Sequence, residues 1–273
     1  MSFSIIILAA GLGKRMNNPD VPKALTELNG MPLIHYVLNV AISLNPDKIC
    51  IVVGHYKDKL VSYINDFIAN EHQSLTIEYA IQEEQLGTGH AVQCCENNFA
   101  NYGGKVLILS ADVPILRAET LLGFIENSAK SNLSVLSSVA TNPFGYGRIL
   151  RDINENIIGI VEEKDATEIE RLIYEINTGI YFVDAKLLFS LIKKIKNNNN
   201  QAEYYLTDIV SIGLQENLNV IANTIAPFTE IQGVNTLEQL EEIKKIIVIS
   251  KFYPTKLIPT SPKSLLNAEV NTE

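Results

Sequence analysis

The feature that most constrains the fold is an apolar run that ends in a turn of small residues near the N-terminus. Residues 5–8 are Ile-Ile-Ile-Leu, a run typical of a strand buried on both faces of a parallel sheet. Alanines and glycines form the turn that follows, so the backbone can bend sharply and approach a ligand closely. Lys14, Arg15 and Lys23 add positive charge beside exposed backbone N–H groups. The segment therefore predicts a phosphate-binding loop that suits a triphosphate.

The loop differs from two other phosphate-binding motifs. Met16 stands where the dinucleotide fingerprint has its third glycine. Arg15 follows Gly13-Lys14 at a position where a Walker A loop has Ser or Thr. Taken alone, the two glycines are also compatible with an ordinary strand-to-helix turn. A nucleotide-binding function therefore depends on motifs farther along the chain.

The composition narrows the class of protein. With 273 residues, 47% of them apolar and 19% charged, the chain can form one large α/β domain or two small ones. A net charge of −9 argues against partners such as nucleic acid or an anionic membrane, so an anionic substrate needs a local basic pocket. Cys50, Cys94 and Cys95 fit neither a metal motif nor an even set of disulfides. No apolar run resembles a signal peptide or a membrane span, and we expect a soluble, cytoplasmic protein.

Apolar, β-branched runs alternate with amphipathic segments of helical length in the first half of the chain. The predicted strands are 3–8, 49–53, 75–81, 106–109 and 133–139, and the predicted helices are 33–44, 58–69, 91–99 and 118–129. This alternation predicts an α/β fold with a mostly parallel sheet and helices on both faces. The ligand crevice is then expected at the carboxyl ends of the strands, where Gly11 and Asp112 fall.

The pattern changes after Phe144. Shorter predicted strands at 145–150, 157–161 and 178–183 indicate a smaller mixed or antiparallel layer beside the main sheet. The asparagine run 197–200 predicts a surface loop. Further helices are predicted at 205–215 and 237–249, and the proline-containing segment from 251 to 273 is expected to be an irregular tail.

Several motifs together resemble one enzyme family. Ala9-Ala10-Gly11, Gly13, Arg15-Met16 and Pro22-Lys23 resemble the signature loop of the sugar-nucleotide pyrophosphorylases, which are nucleotidyltransferases acting on sugar 1-phosphates. Matches to their UDP-N-acetylglucosamine pyrophosphorylase branch follow in order at 82–91, 110–114, 145–148, 161–165, 175–179, 203–208 and 233–235. The resemblance covers about residues 3–240 and implies a Rossmann-like sheet with a smaller β layer on the sugar side. It also implies a nucleotide half (about 1–140), a sugar-binding half (about 141–235) and a closing helix (about 236–250).

The resemblance also implies a role for each matched residue. Gln82 has the amide donor and acceptor that a uracil edge requires, and a carboxylate such as Asp112 at the end of a buried strand suits Mg²⁺. Taken singly, several of these residues have ordinary structural explanations, such as a helix cap at Thr88 or core packing of Tyr205. The implied set is Leu8, Ala9, Ala10, Gly11, Gln82, Gly87 and Thr88 for the nucleotide; Gly147, Glu162, Asn177, Tyr205 and Thr207 for the sugar side; Arg15 and Lys23 as catalytic phosphate contacts; and Asp112 with Asn235 for Mg²⁺.

The implied reaction joins UTP and N-acetylglucosamine 1-phosphate to form UDP-N-acetylglucosamine and pyrophosphate. The chain has Ser110-Ala111 where the branch usually has Tyr-Gly, which leaves the sugar open. The alternatives are the same chemistry on another sugar 1-phosphate or nucleotide, such as glucose 1-phosphate, or a non-catalytic sensor of UDP-sugars. Residues 251–273 contain no hexapeptide repeat, so the acetyltransferase activity of bifunctional relatives is not expected.

Overall fold

The apolar runs form the strands of one nine-stranded sheet. The computed structural model describes residues 1–11, 13, 16, 21–71, 75 and 77–252. The strands of this sheet are β1 (Phe3–Leu8), β4 (Ile49–Val53), β5 (Ile77–Ile81), β6 (Lys105–Ser110), β7 (Leu133–Val139), β8 (Arg148–Arg151), β9 (Ile157–Val161), β10 (Glu175–Asp184) and β11 (Val220–Thr224). The two short strands β2 (Glu27–Leu28) and β3 (Met31–Pro32) pair antiparallel in a separate sheet. The helices are α1 (Leu33–Ser43), α2 (Lys57–Glu71), α3 (Thr88–Gln93), α4 (Ala118–Asn127), α5 (Ala185–Ile192), α6 (Asp208–Gln215), α7 (Phe228–Ile231) and α8 (Leu237–Phe252).

The sheet is mostly parallel, as the alternating pattern predicts. Its order is β11-β7-β10-β6-β1-β4-β5, and β1 runs parallel to both β4 and β6. β10 runs antiparallel between β6 and β7, while the β8–β9 hairpin extends the sheet from β10. The prediction that 178–183 belongs to the flanking layer is therefore wrong. Residues 180–183 are buried because they lie in a central strand of the main sheet.

Alternate residues of β1 pack against different helices on the two faces of the sheet. Ile5 and Ile7 contribute to a core with α1, α2 and α4, whereas Ile6 contributes to a second core with α3, α5 and α6. All three side chains are fully buried. The expectation of helices on both faces is thus confirmed. No helix in the described part of the chain has the length and apolar character needed to cross a membrane.

Element boundaries differ from the predictions where non-local contacts intervene. The predicted helix 91–99 is α3 followed by a short 3-10 turn at Glu96–Phe99. The predicted helix 205–215 begins only at Asp208. α8 continues to Phe252, two residues into the predicted tail, and 253–273 lies outside the described residues.

A small third cluster attaches α8 to the loop after β1. It contains Met16, Leu28, Leu33, Val234, Leu240 and Ile243. Burial of these apolar side chains holds the segment before α8 beside the carboxyl end of β6, where Val234 N–H donates to the carbonyl oxygen of Asp112 over 2.9 Å. The C-terminal part of the fold therefore completes the edge of the sheet where the crevice is expected.

Candidate functional site

A cleft opens at the carboxyl ends of β1, β5 and β6, as expected for a parallel α/β sheet. Its volume is about 270 Å³. The lining residues are Leu8, Ala9, Ala10, Gly11, Lys23, Ala24, Gln82, Gln85, Gly87, Thr88, Ala91, Ser110, Ala111, Asp112 and Glu203. Every residue that the sequence assigned to the nucleotide is in this set. We call this cavity the strand-end cleft.

The loop that precedes α3 is held in place by a segment from far along the chain. Tyr204 N–H donates to Leu86 O over 2.7 Å, and Gly89 N–H donates to Tyr204 O over 2.7 Å. Thr88 Oγ1 accepts a hydrogen bond from Leu206 N–H over 3.0 Å. Gly87, with φ of 108°, makes the turn. The N–H groups of Tyr204 and Leu206 thus bond to this loop, and α6 begins after them at Asp208.

The side chain of Gln82 is buried at the base of this loop, with 3% exposure. Its Nε2 donates to Gly87 O over 3.1 Å and lies 3.2 Å from His90 Nδ1. The amide nitrogen therefore holds the loop, and His90 orients the amide. The carbonyl oxygen Oε1 is the atom that we expect to be available to a ligand in the cleft.

Lys23, Asp112 and Asn235 converge at one point of the cleft. The Lys23 ammonium contacts Asp112 Oδ2 and donates to Asn235 Oδ1 over 2.7 Å. Asn235 N–H in turn donates to Gln239 Oε1 over 2.7 Å, which orients the start of α8. Both charged side chains are largely buried, with 14% exposure for Lys23 and 22% for Asp112.

The same two oxygens, Asp112 Oδ2 and Asn235 Oδ1, are of the kind that a divalent cation takes as ligands. A carboxylate and an amide oxygen suit Mg²⁺, which takes its remaining ligands from water and substrate phosphates. The Lys23 ammonium bridges Asp112 and Asn235, so these oxygens already face one centre of positive charge. The described residues contain no cluster of three or more His, Cys, Asp or Glu side chains suited to a metal. The geometry therefore fits a cation that depends on substrate for most of its coordination.

A second cavity of about 290 Å³ is lined by Tyr205 and Thr207, from the same segment whose residue Glu203 lines the strand-end cleft. We call it the polar cavity, and it is lined by Ile160, Val161, Glu162, Asp165, Lys196, Asn198, Asn199, Tyr205, Thr207 and Asp208. Thr207 Oγ1 donates to Glu162 Oε1 over 3.0 Å. Burial raises the pKa of Glu162, and burial together with Asp165 raises the pKa of Asp208 to about 6. Burial also raises the pKa of Tyr205 to about 12, so its hydroxyl stays protonated.

Gly147 and Asn177 lie beside the polar cavity. Asn177 N–H donates to Gly147 O over 2.8 Å, which joins the start of β8 to β10. Asn177 Nδ2 donates to Tyr181 Oη over 2.9 Å, and its Oδ1 accepts from Gly179 N–H over 3.1 Å. A Cβ on Gly147 would lie 3.2 Å from Ile160 Cγ2 and 3.4 Å from Glu162 Oε2, so the backbone of Gly147 lies close to two residues that line the polar cavity.

Most of the described candidates line one of the two cavities, whereas Gly147, Asn177 and Asn235 line neither and adjoin residues that do, Asn177 by way of Gly147. Arg15 and Lys14 lie outside the described residues. Several lining residues had received no role from the sequence, among them the polar residues Gln85 and Glu203 of the strand-end cleft and Asp208 of the polar cavity. Each of these residues lies within a matched motif, and its place in the motif is the one feature of the sequence that could have identified it.

The sequence matches a known protein family and several curated relatives. A family model described as "Nucleotidyl transferase" matches residues 4–225. Curated relatives include the "Bifunctional protein GlmU" of Geotalea daltonii, 43% identical over 89% of this chain and 52% of the relative. The protein of the same name from Streptococcus mutans is 41% identical over 89% and 51%. The chain therefore spans about half the length of these relatives.

Two solved structures share the fold. A UDP-glucose pyrophosphorylase complexed with UDP-glucose superposes with a TM-score of 0.73 at 19% identity, covering 92% of this chain and 100% of the other. A putative glucose-1-phosphate thymidylyltransferase from Bacillus anthracis gives a TM-score of 0.69 at 22% identity, covering 90% and 95%. At these identities the likeness concerns architecture alone.

Proposed function

The chain belongs to the nucleotidyl transferase family, and we propose that it transfers a uridylyl group from UTP to N-acetylglucosamine 1-phosphate. The products are UDP-N-acetylglucosamine and pyrophosphate. The observation that carries the proposal is the pair of cavities joined by the segment 203–207. The strand-end cleft has the backbone at the end of β1 and the Lys23 ammonium to meet a nucleoside triphosphate, with Asp112 placed for a cation. The polar cavity has the hydroxyl, amide and carboxylate groups suited to a sugar.

Recognition of the base is assigned to Gln82 and the loop after it. With its amide nitrogen engaged by Gly87 O, the Gln82 carbonyl oxygen can accept the N3–H of uracil. Cytosine has an acceptor at that position, so CTP would leave the buried Gln82 oxygen unpaired. The backbone of Gly87 and Thr88 would contact the other edge of the base. Leu8, Ala9, Ala10 and Gly11 would border the nucleotide along the end of β1.

Recognition of the sugar is assigned to the residues beside the polar cavity. Glu162 and Asn177 would hydrogen-bond sugar hydroxyls, and the Gly147 backbone would meet the N-acetyl group. Tyr205 and Thr207 would complete the surroundings of the sugar and its phosphate. The hydrogen bond from Thr207 to Glu162 supports a fixed orientation of that carboxylate.

The chemistry needs no nucleophile from the protein, because the sugar 1-phosphate carries it. A phosphate oxygen attacks the α-phosphorus of UTP, and the bond to pyrophosphate breaks in line. We assign Lys23 to neutralise charge at the α-phosphate, and Arg15 to hold the departing pyrophosphate. Asp112 and Asn235 would hold Mg²⁺, which supplies charge neutralisation at the phosphates when bound. Catalysis then consists of positioning and charge stabilisation.

A second candidate keeps the chemistry and changes the sugar. Ser110 and Ala111 line the strand-end cleft where the resembling branch has Tyr-Gly, and Ala111 is buried there with 3% exposure. Compared with Tyr-Gly, Ser110 leaves more space in the cleft, and the methyl group of Ala111 fills space that a glycine would leave open. Glucose 1-phosphate is therefore the competitor to test first.

The test measures pyrophosphate release from UTP and Mg²⁺ with N-acetylglucosamine 1-phosphate, glucose 1-phosphate or glucosamine 1-phosphate. The proposal expects the highest kcat/KM with the N-acetylated sugar and little release when CTP replaces UTP. Preference for glucose 1-phosphate would replace the sugar assignment while keeping the reaction. Binding of UDP-N-acetylglucosamine without release from any sugar would indicate a sensor instead of an enzyme.

A further inference from the structure

We propose that the buried ion pair between Arg148 and Glu163 positions the loop 145–147 and thereby sets the affinity for the sugar 1-phosphate. The inference rests on the proposed function, because it concerns the same sugar site. Neither side chain lines the two cavities described above. Arg148 and Glu163 are therefore positioning residues, which act through the groups that they hold.

The pair holds two backbone groups of the three-residue loop 145–147. Arg148 Nη2 donates to Glu163 Oε2 over 2.8 Å, and the same guanidinium contacts Tyr146 O through Nη1. Glu163 Oε2 also accepts a hydrogen bond from Gly145 N–H over 3.1 Å. Charged groups thus restrain the carbonyl of one loop residue and the N–H of its neighbour.

The restrained loop leads directly into the sugar site. Gly147 follows Tyr146, and its carbonyl accepts the Asn177 N–H over 2.8 Å. Glu162 precedes Glu163 in the chain, and its Oε2 lies 3.4 Å from the place where a Cβ on Gly147 would stand. The ion pair therefore restrains the backbone next to Gly147, Glu162 and Asn177, three of the five residues that we assign to the sugar.

The environment of the pair favours a positioning role over a purely stabilising one. Arg148 is 2% exposed, and its Nε has no hydrogen-bond partner among the residues that the structure describes. Arg171 approaches the other oxygen of Glu163 at 3.5 Å from a half-exposed position. Desolvating an arginine without satisfying all of its donors costs free energy that an apolar side chain would not. The directional hydrogen bonds by which Arg148 and Glu163 restrain the loop give a reason for a charged side chain at this buried position.

The same strand offers a matched control. Arg151 lies three residues after Arg148 on β8 and pairs with Glu175, with Nε to Oε2 at 2.7 Å. The Glu175 carboxylate also accepts from Ser137 and Thr224, so it ties β8 to β7 and β11. This second pair is also largely buried, but its carboxylate makes no hydrogen bond to the loop 145–147.

The experiment compares Glu163→Gln with Glu175→Gln in the full chain. Turnover gives kcat and both KM values, calorimetry gives Kd for UDP and for UDP-N-acetylglucosamine, and thermal unfolding gives Tm. Glu163→Gln should raise KM for the sugar phosphate about tenfold while KM for UTP changes by less than about twofold. The Kd for UDP-N-acetylglucosamine should rise by a similar factor, and the Kd for UDP should not change. Glu175→Gln should lower Tm without these changes.

Arg148→Lys is the second variant, should Glu163→Gln fail to fold. It keeps the charge but cannot reach both partners, so it should show a smaller change in the same direction. Equal loss of affinity for UDP and UDP-N-acetylglucosamine, or equal effects of the two glutamine variants, would overturn the positioning role. Wild-type protein that releases no pyrophosphate would refute the proposed function instead. The comparison of the two Kd values would still decide whether Glu163 acts on the sugar.

Discussion

Replacement of Gly87 by alanine tests whether the contact between the loop that precedes α3 and the segment 203–206 maintains the shape of the strand-end cleft. Gly87 has φ of 108° and ψ of 176°, a region that is essentially limited to glycine. A Cβ there would lie 2.6 Å from Tyr204 O and 2.9 Å from Tyr204 N. Because both contacts are with backbone, no side-chain rotation relieves them.

The expected magnitude follows from these contacts. The backbone conformation alone costs an alanine about 1–3 kcal/mol. Moving Tyr204 away breaks the hydrogen bonds that join it to Leu86 and Gly89, each contributing about 0.5–1.5 kcal/mol. The free energy of unfolding should therefore fall by about 2–6 kcal/mol, unless the loop itself moves and the cleft is lost.

Gly30→Ala is the matched control. Gly30 has φ of 84° in the turn between β2 and β3, and a Cβ there would meet no atom within 4 Å. It should cost only the strain of the left-handed conformation, about 1–2 kcal/mol, with UTP binding unchanged. Urea unfolding measures stability, and calorimetry measures the Kd for UTP.

Equal stability losses in the two variants, together with normal UTP binding by Gly87→Ala, would refute the reasoning. That result would mean that the close contact with Tyr204 constrains neither the fold nor the cleft.

Three further predictions concern charge. Lys23→Met should raise the Mn²⁺ affinity of the nucleotide-free protein, measured by electron paramagnetic resonance, because the ammonium no longer competes for Asp112 and Asn235. The same variant should reduce turnover by about two orders of magnitude or more. Asp112→Asn should weaken Mn²⁺ binding about tenfold or more and abolish turnover with little change in Tm, and retained metal affinity would contradict the assignment. The Asp208 pKa of about 6 exceeds its ordinary 3.8, so its ionised form destabilises the folded state and stability falls as pH rises between these values. Asp208→Asn should therefore match the stability of the wild type near pH 4 and exceed it at neutral pH by about 1–2 kcal/mol. This value is reduced because the carboxylate is partly solvated and lies at the N-terminus of α6. A stability difference that does not change with pH in urea unfolding would argue against this origin.

Local patterns predicted much of the fold because buried strands are contiguous apolar runs. β1, β4 and β7 begin and end where the sequence analysis placed them. The family resemblance, drawn from short motifs, is confirmed by the match over residues 4–225. The place of β10 was not predictable, since its insertion between β6 and β7 depends on pairing with strands distant in sequence. The start of α6 was missed for a similar reason, because the N–H groups of Tyr204 and Leu206 bond to Leu86 and Thr88, which are distant in sequence.

The sequence by itself determined the chemical groups available to the site, because each motif is a contiguous segment with its own turn and side chains. Only the tertiary structure decided which of these groups face one another. Lys23, Asp112 and Asn235 share one centre of charge because the apolar cluster under α8 holds a late segment against the end of β6. The restraint of the loop 145–147 likewise requires Glu163 to fold back on Arg148 through the β8–β9 hairpin. Such contacts arise from packing and pairing between distant segments, which local sequence patterns do not encode.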